Sequence, residues 1–210
     1  MYEVALSILK KLNDNGYEAY IVGGYPRDKY LGIDSYDIDI CTSATPDIVE
    51  SIFKIEKQYK NFGVSVIKYK GYCFEVTTFR RDFYQNTRYP KIEFVSTLEE
   101  DLQRRDFIMN TLCINKHGEY VDILGARYDI ENKIIRTVGD SDLKIKEDIL
   151  RIIRALKFKT KLQFKIDESL EKSIQKYSKD LKNINFDRIE RELKGIDKYQ
   201  IQELLGHIKL

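Results

Sequence analysis

Between Gly23 and Asp39 the chain reads GGYPRDKYLGIDSYDID, which puts a glycine pair, an Arg-Asp pair and two aspartates separated by one residue into one short stretch. Each feature has an ordinary reading, a turn for the glycines and a solvated strand edge for the acids. Together they suit the handling of a nucleoside triphosphate. Backbone N–H groups near a helix start hold phosphate oxygens, and Gly23 and Gly24 permit both the unusual dihedrals and the close approach. Pro26 suits a first helical turn, and Arg27 offers a charged fork to a triphosphate. Side chains two apart on a strand project from one face, so Asp37 and Asp39 converge on the same side, and hard, oxygen-seeking Mg²⁺ is the cation such carboxylates hold. A site of that kind activates an attacking hydroxyl oxygen and stabilises a leaving pyrophosphate, the requirements of in-line phosphoryl or nucleotidyl transfer.

Three other places carry related chemistry. Glu75, in the alternating segment CFEVTTF, is a candidate third carboxylate, with an exposed strand acid as the other reading. In RRDFIMN, Arg105 and Asp106 suit a ribose hydroxyl and a phosphate while Asn110 caps or orients the backbone; a helix-end ion pair is the alternative. In EDILRIIRALKF, Ile149, Ile152, Ile153 and Leu156 form an apolar stripe, leaving Asp148, Arg151 and Arg154 on another arc with small Ala155 between them, where a planar base has room. Asp148 and Arg151 are three apart, so a surface ion pair is one reading. The other is a base reader. A carboxylate accepts from an exocyclic amino group and a guanidinium donates to the adjacent ring nitrogen, matching cytosine and adenine but not uracil or guanine.

These groups need a sheet and helices to hold them. Val4, Leu6, Ile8, Leu9 and Leu12 recur at roughly helical spacing before an Asn15-Gly16 stop, EAYIVGG reads as a strand breaking into a turn, and Pro46 opens a helix through about Phe53. Hairpins are expected about Lys70-Gly71 and His117-Gly118. The expectation is an α+β protein: a mixed, largely antiparallel sheet flanked by helices over residues 1–139, then a helical segment over 140–210, where glycines and strand signals fade. The 210 residues, 42% of them hydrophobic, suffice for a packed core. No transmembrane or signal segment is evident, which places the chain in the cytoplasm with no membrane partner. Cys41, Cys73 and Cys113 read as buried small side chains, and His117 and His207 have no metal-ligand companions. Net charge is only +2, yet Leu143 to Lys182 holds twelve Lys or Arg against six Asp or Glu, which points to an anionic partner or to a solvated lysine-rich face.

In their order along the chain, GGYPRD, DID, RRDFIMN, EDILRIIRALKF and RIERELKGI resemble the motifs of the class II tRNA nucleotidyltransferases, the bacterial CCA-adding enzymes and related poly(A) polymerases of the polymerase-β-like superfamily. The resemblance implies a nucleotidyltransferase head followed by an all-helical neck. It implies template-independent, Mg²⁺-dependent addition of CMP and AMP, from CTP and ATP, to the tRNA 3′ end. It makes Asp37 and Asp39 metal ligands, and Gly24, Arg27, Arg105, Asp148, Arg151 and Arg154 nucleotide contacts. Pro26 stands for the usual Val, and Lys157 for an Arg whose planar fork a lysine lacks. RRDFYQNTRYPKIEF is similar to the family's flexible loop, with Asn86 in place of a usual Asp, and its Tyr84, Arg88 and Pro90 favour addition of the full CCA. Related alternatives are CC-adding, A-adding or poly(A) polymerase activity, or a non-catalytic RNA-binding remnant. The resemblance also leads one to expect a short version without body and tail domains, acting on the acceptor stem alone or completed by a homodimer or partner. The run KFKTKLQFK is either a phosphate-binding segment or core aromatics with exposed lysines.

Overall fold

The structure, a computed structural model, describes residues 1–84 and 90–194. Asn86, Arg88, His207, the Gly195-Ile196 end of RIERELKGI and the terminal LLGHIKL lie outside the described residues. The chain divides into two compact units, Met1–Arg105 with Met109–Arg127, and Asp106–Ile108 with the chain from Tyr128 onward.

The first unit is built on α1 (Tyr2–Asp14), β1 (Ala19–Val22), α2 (Gly24–Tyr30), β2 (Asp39–Thr42), α3 (Pro46–Ile52), β3 (Ile55–Tyr59), β4 (Val64–Tyr69), β5 (Tyr72–Thr78), β6 (Arg80–Phe83), β7 (Lys91–Phe94), α4 (Leu98–Gln103), β8 (Cys113–Ile114) and β9 (Tyr120–Val121). Seven strands form one sheet in the order β3-β4-β5-β2-β1-β8-β9, with β6 and β7 as a separate ribbon. Within the large sheet only β2 and β5 run parallel; the other neighbours are antiparallel. The mixed, largely antiparallel sheet expected from the sequence is therefore the one observed, and both expected hairpins are in place as β4–β5 and β8–β9.

Periodicity explains the packing. Ala5, Ile8, Leu9 and Leu12 give α1 a fully buried stripe that packs with Ile21, Ile40, Ile67, Phe74 and Val76 from the sheet. A smaller cluster of Val22, Cys41, Phe79, Leu98, Leu102 and Cys113 includes residues of α4. Thus β2 has apolar layers at Ile40 and Cys41, and its first residue, Asp39, sits where those layers end. Cys41 and Cys113 are buried as expected; Cys73 is exposed, because it lies near the β4–β5 turn opposite Lys68.

The second unit holds the rest of α5 (Ala126–Glu131), then β10 (Ile134–Ile135), α6 (Ser141–Glu147), α7 (Leu150–Leu162), β11 (Lys165–Ile166), α8 (Glu168–Tyr177) and α9 (Phe186–Glu192). Among the described residues its only strands are β10 and β11, which pair in parallel. Phe107 joins it through a bridge to Thr137 and an edge-on contact with Phe158 at 5.8 Å. Gly139, where the composition changes, lies two residues before α6. Among the described residues, no helix is long and apolar enough to cross a membrane.

Because Ile40 is wholly buried at the centre of the first unit's sheet, Ile40→Ala should lower stability by about 2–5 kcal/mol. Urea unfolding of the variant against the parent checks this.

Candidate active site

Strand β1 ends at Val22, and Gly23 turns the chain into α2 with φ +86°, a backbone state that L side chains rarely adopt. A Cβ at Gly23 would stand 3.4 Å from Asp39 Oδ2, so the glycine brings the turn's backbone against that carboxylate. Antiparallel pairing sets Val22 opposite Asp39, and the parallel β2–β5 register sets Asp39 opposite Glu75. Asp37 comes two residues earlier, exposed and ahead of β2 rather than on it, because the ladder with β1 starts only at Asp39. Asp39 nonetheless responds to both of the other acids. Burial, then the charges of Asp37 and Glu75, push the Asp39 carboxyl up to about 6, while Arg105 pulls it down.

A cleft of about 160 Å³ opens beside Asp39, lined also by Glu75, Thr77, Arg80, Arg104 and Arg105. Among the described residues, no three His, Cys, Asp or Glu side chains form a ready-made metal cage. That suits Mg²⁺, which is usually bound through one or two carboxylates together with substrate phosphates and retained waters. An Asp39 carboxyl held up by burial and then by neighbouring like charges is the donor environment that a hard cation would relieve, so the residues present fit the ion.

Arg27 has a different setting from the one its sequence position suggests. It is buried, its Nε and Nη2 donate to Asp28 Oδ1 at 2.9 and 2.6 Å, and its Nη1 donates to Asn110 Oδ1. Its guanidinium lies beside Gly24, which leaves room for Nη2, 3.4 Å from where a Cβ would be. Asn110 is thus brought to Arg27. Arg105 and Asp106, adjacent in sequence, turn to different partners: Arg105 Nη2 donates to Asp101 at 2.7 Å within the first unit, and Asp106 accepts from Arg154 Nε at 2.9 Å within the second. At the end of α4 the ion pairs that form join Arg104 and Arg105 to Asp101.

Asp101 was not legible as a site residue. It is fully buried; Oδ1 accepts from Arg104 Nε at 2.9 Å and from the Arg80 N–H at 3.2 Å, and Oδ2 accepts from Arg105. Burial opposes its charge, but Arg105 and Arg104 hold its carboxyl below the usual range, and burial lowers Arg104. Burial likewise works against Arg105, yet Asp101 holds its guanidinium above the ordinary value. Arg105 Nε is a buried donor with no acceptor among the described residues. Such donors are rare because each costs about 1–3 kcal/mol, and this one belongs to a residue lining the cleft. The sequence signal was the i, i+3 and i, i+4 spacing of Asp101 to Arg104 and Arg105.

In the second unit, Asp148 ends α6 and its Oδ1 accepts from Leu150 N–H at 3.2 Å, capping the start of α7. Arg151 is buried and donates from Nη1 to Glu147 at 2.6 Å and to the Lys144 carbonyl. Glu147, marked in the sequence only by its i, i+4 spacing, helps to orient Arg151. Arg154 is held above its ordinary value, chiefly by Asp106. Lys157 donates to the carbonyls of Glu192 and Lys194, at 2.7 and 3.2 Å, and burial lowers its pKa. Ala155 is fully buried with Ile152 and Ile153, so the room expected beside it for a planar base is filled by the protein's own core.

A mixed sheet with acids at the head of its second strand, joined to helices, defines a nucleotidyltransferase head of the polymerase-β-like kind. The chain belongs to the poly A polymerase head domain family, whose model matches residues 19–136. It is 42% identical to a CCA-adding enzyme of Geobacillus thermodenitrificans over 93% of this chain and 49% of that protein. Among solved structures it is similar to a Bacillus stearothermophilus CCA-adding enzyme in complex with CTP, with TM-score 0.85 and 38% identity over 98% of this chain and 48% of that one. It is also similar to a tRNA nucleotidyltransferase complexed with a primer tRNA and an incoming ATP analog, with TM-score 0.76 and 28% identity over 94% and 59%. The chain spans about half the length of the curated relatives it matches.

The Asp39 carboxyl is raised in the folded state, so the stability it contributes is fullest below the range of an unfolded Asp and is lost as pH rises through about 6. In metal-free buffer at pH 8, Asp39→Asn should melt higher than the parent, and the gap should shrink toward pH 5. Added Mg²⁺ should raise the melting temperature of the parent more than that of the variant, as thermal unfolding monitored by circular dichroism will show. A second expectation concerns the arginines: Asp101→Asn should destabilise the fold by about 3–5 kcal/mol, because it strands buried guanidinium charge. Urea titration checks it.

Proposed function

We propose that this chain carries the catalytic and base-selecting parts of a template-independent nucleotidyltransferase that adds CMP and AMP, from CTP and ATP, to the 3′ end of tRNA. The observation that carries the reading is the crowding of Asp39 against the Gly23 turn and opposite Glu75, with Asp37 near enough to raise its pKa. The names of the similar proteins, CCA-adding enzyme among them, and their CTP and primer tRNA complexes support the substrate class. The working compartment under this reading is the cytoplasm.

Asp37 and Asp39 would hold Mg²⁺, with Glu75 as the third acid of the site. When bound, the ion supplies charge neutralisation at the triphosphate and makes the primer hydroxyl a better nucleophile. The terminal 3′-hydroxyl oxygen of the primer attacks the α-phosphorus of the nucleotide, its proton passes to solvent, a new phosphodiester forms and the bond to the leaving pyrophosphate breaks. The chain's own groups prepare that step. Gly23 and Gly24 keep side chains away from the phosphates, and Arg27 with Asn110 keeps the turn rigid. Arg105, locked by Asp101, presents its unpaired Nε–H to a ribose or phosphate oxygen. Donors fixed before the substrate arrives need no reorganisation during the reaction.

Base choice falls to Asp148 and Arg151, with Arg154 and Lys157 beside them on α7. Glu147 and the Lys144 carbonyl hold the guanidinium of Arg151 in one orientation, beside Asp148 at the start of α7. Cytosine and adenine satisfy a carboxylate beside such a guanidinium; uracil and guanine leave both groups unpaired. A site that depends on those hydrogen bonds can discriminate by up to ~10⁴.

The test is gel-resolved extension of tRNA ending without CCA, after one C and after two, with CTP, ATP and UTP offered separately in Mg²⁺. C should be added to the first two substrates and A to the third; Asp37→Ala should abolish every band. Asp148→Ala should raise UTP use relative to CTP. Absence of Mg²⁺-dependent bands in the parent would refute the reading.

A further inference from the structure

The rim of the cleft has a feature that the transfer chemistry does not use. Strand β7 pairs with β6 so that Phe94 lies directly opposite Arg80 and shares its face of the ribbon. Arg80 lines the cleft, is fixed by Asp82 through its Nε at 2.9 Å, and donates from Nη1 to the Phe62 carbonyl. Phe62 is followed by Gly63, at φ +68°, and then by Val64, another lining residue. A Cβ on Gly63 would come within 2.8 Å of Phe94 Cε1, so the ring lies against bare backbone there, at a distance that only glycine permits. Two residues that line the cleft thus each have a phenylalanine close by: Phe94 across the ribbon from Arg80, and Phe62 two residues before Val64. Phe62 is 40% exposed and Phe94 41%, and among the described residues neither ring stacks on another aromatic side chain.

Exposed aromatic faces beside fixed arginines are what single-stranded nucleic acid uses: bases stack on the rings while guanidinium groups meet phosphates. We propose that Phe62 and Phe94 form a stacking ledge for the unpaired 3′-terminal bases of the RNA primer, with Arg80 and Arg104 on the phosphate side. This rests on the nucleotidyl-transfer reading and adds to it the place where the acceptor strand lies. Stacking tolerates any base, so the ledge holds the growing end without regard to its last nucleotide. The acids Asp82 and Asp101 offset much of the arginine charge, and the rings therefore carry the larger share of the affinity.

Fluorescence anisotropy with two probes tests it: a hairpin RNA bearing a three-nucleotide 3′ overhang and the same hairpin with a blunt end. Phe62→Ala with Phe94→Ala should weaken overhang binding roughly ten-fold or more, leave blunt-end binding within two-fold, and raise KM for the overhang primer while KM for CTP stays unchanged. Phe94→Trp should restore overhang binding, which separates a stacking role from a folding defect. Unchanged overhang binding in a double variant that melts like the parent overturns the ledge, as does equal loss on the blunt probe or failure of the Trp variant to rescue. Binding is read apart from turnover: an inactive parent whose overhang binding still depends on the two rings would sink the transfer reading and keep the ledge.

Discussion

One register holds the site together. Because β2 runs parallel to β5 and antiparallel to β1, Asp39 is set opposite both Glu75 and Val22, with the Gly23 turn against its carboxylate. A parallel neighbour cannot follow directly along the chain; it needs a crossover, here supplied by α3, β3 and β4. The fully buried Ile40 and Cys41 behind Asp39 make a slip of one residue costly, since it would turn both faces of the strand inside out. The hydrophobic core therefore supports an electrostatically unfavourable arrangement at its edge. Local rules of stability are broken where a cation and a triphosphate would repair them, which is the pattern expected at a functional site.

A second regularity concerns the arginines. Each of those in the two clusters has a carboxylate beside it: Asp28 for Arg27, Asp82 for Arg80, Asp101 for Arg104 and Arg105, Glu147 for Arg151 and Asp106 for Arg154. Exposed ion pairs add little stability, but buried ones fix direction. Donors that aim one way in advance are what discrimination between bases and stabilisation of a phosphoryl centre require. Lys157 departs from this plan, capping the end of α9 through two carbonyls. A flexible ammonium suits that task, whereas a planar fork suits a base edge.

Much of this was legible in the sequence because it is local. The period of α1, the turn at Gly23-Gly24, the two hairpins and the apolar stripe of α7 each follow from residues within a few positions of one another. Asp39 and Glu75 were found separately, by alternation, but nothing short-range says that their strands are neighbours. Partner choice was the part that escaped. Arg27 lies beside Asp28 in sequence, yet its link to Asn110 spans eighty-three residues. Asp106 looked like the companion of Arg105 and instead holds Arg154, forty-eight residues on. Asp101 and Glu147 had only helical spacing to mark them, a signal shared by many exposed pairs that do nothing comparable. Asp37 looked like a strand residue from alternation alone; the ladder begins two residues later.

Calorimetric titration of CTP into the intact chain, with and without Mg²⁺ and in parallel with Asp39→Asn, tests the central claim most directly. Crowded acids that need a cation predict tight CTP binding in the parent only when Mg²⁺ is present, and little gain from Mg²⁺ in the variant. Equal CTP affinity with and without the ion, or an undiminished Mg²⁺ effect in Asp39→Asn, would contradict it.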